Sequence, residues 1–240
     1  MICPRQNTVE LLAALLDSEK VVHIRGTPAS GKSELAKLLR DHYIEKSTNV
    51  FFVEIWESLD RFVGEAWDRL AQQLHNVSSS HKPADCFASP PVLIIDEAQL
   101  SYTDSVFWNI IIKELLDRAA RVDIKICLFC SYGSVLTGVD RNSVLYTPAT
   151  FSPTQRVTLT PQENECSPHI GLFYTMVEFN DVVSRLIRYK FQEQFTLNEE
   201  AASYIFSFTN GHPGGVSSVM SYIYDVCFRK RVGSTLDWFA

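Results

Sequence analysis

The sequence predicts an α/β protein in which a parallel sheet is covered by helices on both faces and is followed by a smaller helical part. Five strand candidates, at residues 21–24, 50–55, 92–95, 124–130 and 156–159, alternate with segments of helical periodicity. Most of these strands are continuous apolar runs, which are typical of a buried parallel sheet. Beyond about residue 160 only helical patterns occur, at 176–191, 198–208 and 215–229. We therefore expect an α/β core over residues 1–160 and a helical lid over 161–240.

The composition is that of a globular chain with no bias toward nucleic acid or lipid. Of 240 residues, 46% are hydrophobic and 21% are charged, which supplies the apolar surface that a packed core needs. The net charge of −6 gives no sequence-wide attraction to phosphates, so a nucleic-acid partner would need a local patch. No run approaches the roughly 18 apolar residues of a membrane helix, and the N-terminus lacks the layout of a signal peptide. The sequence predicts no membrane partner.

The six cysteines favour an intracellular, reducing compartment, because they are too sparse for a disulfide scaffold and no signal peptide is predicted. Cys127 and Cys130 form a C-x-x-C pattern inside the fourth strand candidate. An offset of three along a strand sends two side chains to opposite faces of the sheet. We therefore interpret both as packing thiols rather than as zinc or redox residues.

The helices follow from periodicity and from cap and breaker residues. The first is expected to begin at Asn7, because Glu10 stands three residues later in a capping pattern, and to end near residues 17–20. A turn with glycine and proline at 26–31 separates the first strand from a helix over 32–43. Further helices are expected through Phe62 and Leu74, and over 105–120. Residues 77–91, rich in serine and proline, are expected to form an exposed loop.

The strongest functional signal is the glycine-rich turn after the first strand. It fits the phosphate-loop pattern G-x-x-x-x-G-K-[ST] without a mismatch, as Gly26, Thr27, Pro28, Ala29, Ser30, Gly31, Lys32 and Ser33. Its glycines allow successive backbone N–H groups to converge on phosphates, to which the N-terminus of the next helix adds its positive dipole. Lys32 is expected to reach the β- and γ-phosphates, and Ser33 to hold Mg²⁺. We also assign Glu34, in the first turn of that helix, to the nucleotide-binding segment.

Two acids directly follow the third strand candidate. Asp96, at the strand tip, is suited to hold Mg²⁺ through water, and Glu97 to polarise the attacking water. An acidic pair after a strand is otherwise common as a helix cap, but the phosphate loop favours the catalytic interpretation. The fourth strand candidate ends with another polar residue, Ser131.

These residues resemble the Walker A and Walker B motifs of P-loop NTPases that carry a catalytic glutamate beside the Walker B aspartate. The resemblance implies a three-layer core whose five strands have the spatial order 5-1-4-3-2. It also implies that Ser131 is a polar sensor that contacts the γ-phosphate or the attacking water. ATP is the expected nucleotide, because no N-K-x-D segment for reading guanine follows the loop. The expected ligands are therefore ATP or ADP with Mg²⁺.

A turn between two predicted helices, at residues 211–215, makes the resemblance more specific. Residues 211–215, with His212 and Pro213, resemble the G-x-P element by which the lid of STAND-type and related AAA+ ATPases approaches the nucleotide. The ordered set of motifs resembles the NTPase module of fungal and oomycete Crinkler-type proteins over nearly the whole chain. In that family a delivery header precedes the module and a nuclease-like domain follows it. The sequence shows neither, so nuclease activity is not expected, and host-cell delivery would follow from the resemblance alone.

Four arginines are candidates for sensing the nucleotide or for activating a neighbouring subunit: Arg118, Arg121, Arg141 and Arg156. Such an arginine can contribute strongly to phosphoryl transfer. Surface ion pairing is the plainer interpretation of each, above all for the first two, which stand at a helix end. We favour Arg156, at the junction of core and lid. His23, in mid-strand among apolar neighbours, is expected to be a packed and hydrogen-bonded core residue.

Three functions remain open from the sequence. The first is a Mg²⁺-dependent ATPase whose nucleotide state moves the lid, so that it acts as a switch or as an assembly module, with a homo-oligomer or a partner protein bound through the lid. The second is a nucleotide-binding interaction protein that holds ADP and turns over little. The third is a DNA-associated AAA+ ATPase, which the acidic composition disfavours.

Overall fold

The computed structural model describes residues 3–77, 83–131, 149–161 and 167–226, and these form two compact units. The larger unit comprises Gln6–Pro28 and Lys32–Gly171. The smaller unit comprises Met1–Arg5, Ala29–Gly31 and Leu172–Ala240. The expected boundary at residue 160 lies inside the larger unit, which the chain leaves after Gly171.

The larger unit is built on a parallel sheet of five described strands. They are β1 (Val21–Gly26), β2 (Val50–Val53), β3 (Val92–Ile95), β4 (Lys125–Ser131) and β5 (Arg156–Val157). Their spatial order is β2-β3-β4-β1-β5, and every pairing is parallel. The predicted order is therefore confirmed. Strand β5 is shorter than expected, since Thr158 makes only an isolated bridge to Gly171.

The described residues of this unit form four α-helices: α1 (Gln6–Glu19), α2 (Lys32–Glu45), α3 (Ala66–Val77) and α4 (Lys113–Leu116). A π-helical segment, Phe107–Ile112, leads directly into α4. The helix predicted over 105–120 thus ends early, because Arg118 adopts a left-handed backbone with φ 55° that closes the helix. Of the expected loop at 77–91, the described part contains a single 3₁₀ turn, Pro83–Asp85.

One face of the sheet carries the largest described apolar cluster. Side chains of β1, β3 and β4, such as Val21, Leu93 and Ile126, pack there with α3 and the π-helical segment. Cys130 belongs to this cluster, whereas Cys127 does not, as the alternation of side chains along a strand requires. The predicted placement of the two thiols on opposite faces is confirmed. In the described ranges, no three His, Cys, Asp or Glu side chains form a metal-holding group.

His23 is a buried core residue, as predicted. Its Nε2 lies 3.2 Å from the Sγ of Cys130, and its ring stacks on Phe151 with the ring centroids 4.7 Å apart. Burial, followed by the charges of Arg25 and Arg156, lowers the pKa of His23 to about 3. Burial likewise raises the pKa of Cys130 to about 12. Both groups are therefore neutral at neutral pH.

The smaller unit is helical. Its helices are α5 (Met176–Arg185), continued by a π-helical turn at Leu186–Lys190, α6 (Glu199–Thr209) and α7 (Pro213–Tyr224). Their starts are well capped: Thr175 and Glu178 form a reciprocal capping box, and Asn198 accepts from the N–H of Ala201. The apolar side chains packed between these helices include Phe179, Phe191, Val216 and Met220. None of the helices in the described ranges has the length and hydropathy of a bilayer-spanning segment.

A buried ion pair ties the N-terminal residues into the smaller unit. The Nε and Nη2 atoms of Arg5 donate to the two carboxylate oxygens of Glu178 at 3.1 and 3.3 Å, with side chains only 5% and 9% exposed. Its guanidinium also donates to the carbonyls of Leu172 and Phe173. The Arg5 guanidinium thus neutralises the Glu178 carboxylate. Removing Arg5 would leave this carboxylate buried without a counter-charge.

We expect Arg5→Met to lower the free energy of unfolding by about 3–5 kcal/mol, because it leaves an uncompensated buried charge. Urea unfolding followed by circular dichroism measures the change. The matched control is Arg188→Met, which removes an exposed pair with Glu193 at 3.8 Å and should cost about 0.5 kcal/mol or less. Equal costs for the two variants would contradict the role of burial.

A second prediction concerns acid. Because the pKa of His23 is about 3 in the folded chain against 6.5 unperturbed, its contribution to stability is complete above pH 6.5. As the pH falls below that value, the unfolded chain binds a proton at His23 that the folded chain does not bind. The free energy of unfolding therefore falls by about 1.4 kcal/mol per pH unit. Urea unfolding at about pH 7 and about pH 5 should therefore show a drop that His23→Gln reduces. The exposed His169→Gln variant should keep the full drop.

Candidate functional site

The glycine-rich turn lies where the sequence places it, between the end of β1 at Gly26 and the start of α2 at Lys32. Ala29 and Gly31 both have left-handed backbones, with φ of 57° and 85°. Alternating conformations of this kind aim successive N–H groups toward one point, which makes an anion-binding concavity. The fourteen-residue helix α2 starts directly behind it.

Lys32 is the central charge of this turn. It is 6% exposed, and its Nζ donates to the carbonyls of Gly26 at 3.3 Å and Thr27 at 2.9 Å. Within the described residues, no carboxylate forms an ion pair with it. A buried cation is costly unless it has an anionic partner. The turn therefore carries a positive charge for which the described residues provide no anion.

The hydroxyl groups of Ser30 and Ser33 have no hydrogen-bond partner among the residues that the structure describes. Ser30 is fully buried, and its Oγ makes no hydrogen bond with any residue that the structure describes. Ser33, the second residue of α2, is half-buried, and its hydroxyl likewise has no bonded partner in the described ranges. Glu34 is exposed and forms an ion pair with Lys37 at 3.4 Å. A buried hydroxyl without a partner is uncommon and points to a ligand or an ordered water.

The acidic pair reaches the same edge of the sheet as the loop. Residue 131 of β4 is the register partner of Gly26 on β1, and Asp96 follows β3 on the other side of β4. Ligands of open parallel sheets bind at the carboxyl ends of the strands. Asp96 is 7% exposed, and its Oδ1 accepts the N–H of Glu97 at 3.0 Å. Asp96 and Ser131 thus lie at the ends of β3 and β4, and the Nζ of Lys32 lies at the end of β1, where it donates to the carbonyl of Gly26.

Glu97 is held by two side chains. It has a left-handed backbone with φ 49°, and its Oε2 accepts from the Oγ of Ser131 at 3.3 Å. The same oxygen accepts from the Nε2 of Gln99. The structure therefore brings together Glu97 and Ser131, the predicted base and the predicted sensor. A role for Gln99 in the site was not predicted from the sequence, because that role depends on its proximity in space to Ser131.

The turn before α7 belongs to the smaller unit. His212 caps the helix, with its Nδ1 accepting from the N–H of Gly215 at 3.0 Å, and Pro213 is the first helical residue. Within that unit, the N–H of Gly214 donates to the carbonyl of the loop residue Ala29 at 2.9 Å. The sequence predicts that His212 approaches the nucleotide, and in the structure its Nδ1 is occupied by the cap of α7.

Arg156 lies on β5, as the register partner of His23 rather than of the loop. Its Nη2 donates to the carbonyl of Phe151 at 2.7 Å, and it makes no hydrogen bond to Lys32, Asp96 or Glu97. Arg118 and Arg121 line a cavity of about 650 Å³ beside the amino ends of β1 and β4, at the opposite edge of the sheet. Arg141 lies outside the described residues.

The donor set fits a magnesium–nucleotide complex. Mg²⁺ is usually bound by one or two carboxylates or hydroxyls together with substrate phosphates and waters. Counting only bonds to described residues, Ser33 offers an unbonded hydroxyl and Asp96 a carboxylate whose Oδ2 accepts no hydrogen bond. The loop N–H groups and Lys32 are the groups that could bind phosphate oxygens.

A parallel sheet in this order, with a phosphate loop after β1 and an acid after β3, is the α/β fold of P-loop NTPases. Comparison with solved structures returns distant likenesses. A RuvB mutant from Thermotoga maritima is 17% identical with a TM-score of 0.44, covering 94% of this chain and 64% of that chain. ORC from Drosophila, solved bound to DNA, is 12% identical with a TM-score of 0.39, covering 88% and 58%.

PCH-2 from C. elegans is 13% identical with a TM-score of 0.36, covering 81% of this chain and 49% of that chain. The chain thus spans between 49% and 64% of the lengths of these three chains. No family model matches the sequence. No curated protein matches it either.

The contact between Gly214 and Ala29 gives a matched test. A Cβ added at Gly214 would lie 2.6 Å from the Cβ of Ala29, so the loop must shift, whereas one added at Gly215 meets only ordinary contacts at 3.5 Å or more. We expect Gly214→Ala to weaken ADP binding about tenfold, measured by isothermal titration calorimetry, and Gly215→Ala to leave it within about twofold. Equal affinities would show that this contact does not shape the loop.

Proposed function

We propose that the chain is a Mg²⁺-dependent P-loop ATPase of the AAA+ type that acts as a nucleotide-driven switch or assembly module. The observation that carries the proposal is the buried ammonium of Lys32, which is held by backbone carbonyls of a glycine-rich turn and has no carboxylate partner among the described residues. A triphosphate supplies the negative charge that this environment lacks.

Each described residue of the site has a part in this function. The N–H groups of residues 26–31 bind the phosphates, together with Lys32. Ser33 and Asp96 hold the metal, which when bound neutralises phosphate charge. Glu97 takes the proton of the attacking water, for which its Oε1 has no competing hydrogen bond in the described ranges. Ser131, bonded to Glu97, contacts the γ-phosphate or the water.

The finer features are proposals that rest on the sequence. ATP is favoured over GTP by the lack of a guanine-reading segment, and the ordered motifs resemble those of Crinkler-type NTPase modules. His212 and Pro213 approach the nucleotide in the bound state. Arg156 is exposed, and Nη2 is the one atom of its guanidinium that is bonded to a described residue, so it can offer the rest of its guanidinium to a second copy of the chain.

The experiment is ATP turnover with Mg²⁺ across a range of protein concentrations, combined with nucleotide affinity. Lys32→Ala should weaken ATP binding about tenfold to a hundredfold, because it removes charge-assisted hydrogen bonds to phosphate. Glu97→Gln should keep the affinity but lower kcat by about 10²–10⁴-fold, the usual contribution of a general base. Specific activity that rises with protein concentration would indicate assembly.

The controls are Lys37→Ala, an exposed lysine on the same helix, and Glu57→Gln, an exposed glutamate of the larger unit. Both should match wild type. Tight nucleotide binding with no turnover in wild type or Glu97→Gln would replace the ATPase by a switch that holds nucleotide. No binding of ATP, with Lys32→Ala indistinguishable from wild type, would overturn the proposal altogether.

A further inference from the structure

We propose that Gln99 is the positioning residue for the base Glu97, and that it couples this base to the end of β4. The proposal rests on the ATPase function proposed above. The side-chain amide of Gln99 forms a bridge: its Oε1 accepts the backbone N–H of Ser131 at 2.9 Å, and its Nε2 donates to the Oε2 of Glu97. Ser131 Oγ donates to the same carboxylate oxygen at 3.3 Å.

The orientation of the amide is dictated by its neighbours. A backbone N–H can only donate, so the group facing Ser131 has to be the amide oxygen. The amide nitrogen then faces Glu97, where an ionised carboxylate can only accept. Flipping the amide would break both hydrogen bonds at once. Gln99 therefore has one favourable orientation, which fixes the position of Glu97 Oε2.

The backbone of Gln99 is itself firmly held. It lies in the 3₁₀ turn Ala98–Ser101, in which Ala98 and Ser101 are fully buried. The Oγ of Ser101 donates to the carbonyl of Ala98 at 2.7 Å and accepts from the indole Nε1 of Trp108 at 3.0 Å. A side chain that starts from a rigid turn loses little freedom when it forms a bridge.

These contacts fix the carboxylate of Glu97 through one of its two oxygens. Oε2 accepts two hydrogen bonds, whereas Oε1 accepts none from the described residues. Without Gln99, the 3.3 Å bond from Ser131 Oγ would be the one hydrogen bond from a described residue that restrains this flexible side chain. Small displacements of a reacting group can slow a reaction by about a hundredfold. Gln99 carries no charge, so it acts through Glu97 rather than on the substrate.

The kinetic test uses Gln99→Leu, which keeps the approximate size of the side chain and removes both hydrogen bonds. We expect kcat to fall about 10–100-fold, with KM and the affinity for ATP changed less than about threefold. Gln99→Glu keeps an acceptor for Ser131 but faces Glu97 with a second carboxylate, so it should be at least as slow. The control is Gln72→Leu, which removes an exposed glutamine amide bonded to the carbonyls of Val63 and Asp68.

A double-mutant cycle separates positioning from a general structural role. If Gln99 acts through Glu97, then adding Gln99→Leu to Glu97→Gln should lower the single-turnover rate less than about twofold further. A further loss equal to that of Gln99→Leu in the wild-type background would overturn the proposal. So would an unchanged or raised kcat in Gln99→Leu.

The bridge can also be tested without nucleotide. Because the N–H of Ser131 donates to Gln99, its hydrogen exchange should be faster in Gln99→Leu and unchanged in Gln72→Leu. Equal exchange in wild type and Gln99→Leu would show that the bridge is absent. If Glu97→Gln lowers turnover but Gln99→Leu does not, this inference fails alone. If wild type neither binds nor hydrolyses ATP, the proposed function fails and the role of Gln99 fails with it.

Discussion

The parallel pairing of β4 on both of its sides is the constraint on which the candidate site depends. On one side β4 pairs with β1, from Val21 opposite Ile126 to Gly26 opposite Ser131. On the other side it pairs with β3, whose last residue, Ile95, lies opposite Leu128. Because all these strands run in the same direction, their carboxyl ends share one edge, where the loop, the acids and the serine meet. A slip of one residue would turn each side chain to the opposite face.

Two buried polar groups of the candidate site differ from Asp104, a buried polar group that the fold itself satisfies. Asp104 is 1% exposed and accepts from the Trp56 indole and from the N–H groups of Leu59 and Phe107. It is satisfied within the fold and stabilises it. Lys32 and Ser30 are also buried, but they lack a counter-charge and a hydrogen-bond partner respectively in the described ranges. Such groups reduce stability unless a ligand completes them.

The sequence could predict features that depend on residues close together in the chain. The phosphate loop, the acids after β3 and the strands themselves followed from short motifs and apolar runs, because each is encoded within a few neighbouring residues. The order of the strands in the sheet followed from the resemblance to P-loop NTPases. The ion pair of Arg5 with Glu178 joins residues far apart in the chain, and no local pattern marks it. Gln99 was missed for the same reason, since its bond to Ser131 crosses from one strand end to the next. The early end of α4 reflects backbone conformation at Arg118, where a non-glycine residue takes a glycine-like shape.

The lengths of the outer strands have a consequence for how copies of this protein can associate. Among the described strands, the outermost ones are β5, which has two residues, and β2, which has four. An exposed edge is a template for a foreign strand, and very short edges are one way in which natural sheets avoid such pairing. A two-residue strand has too few backbone N–H and C=O groups to pair stably with a strand from another chain. Aggregation by strand addition is therefore disfavoured on the β5 side of the sheet. Specific association on that side would therefore depend on side-chain surfaces rather than on extension of the sheet.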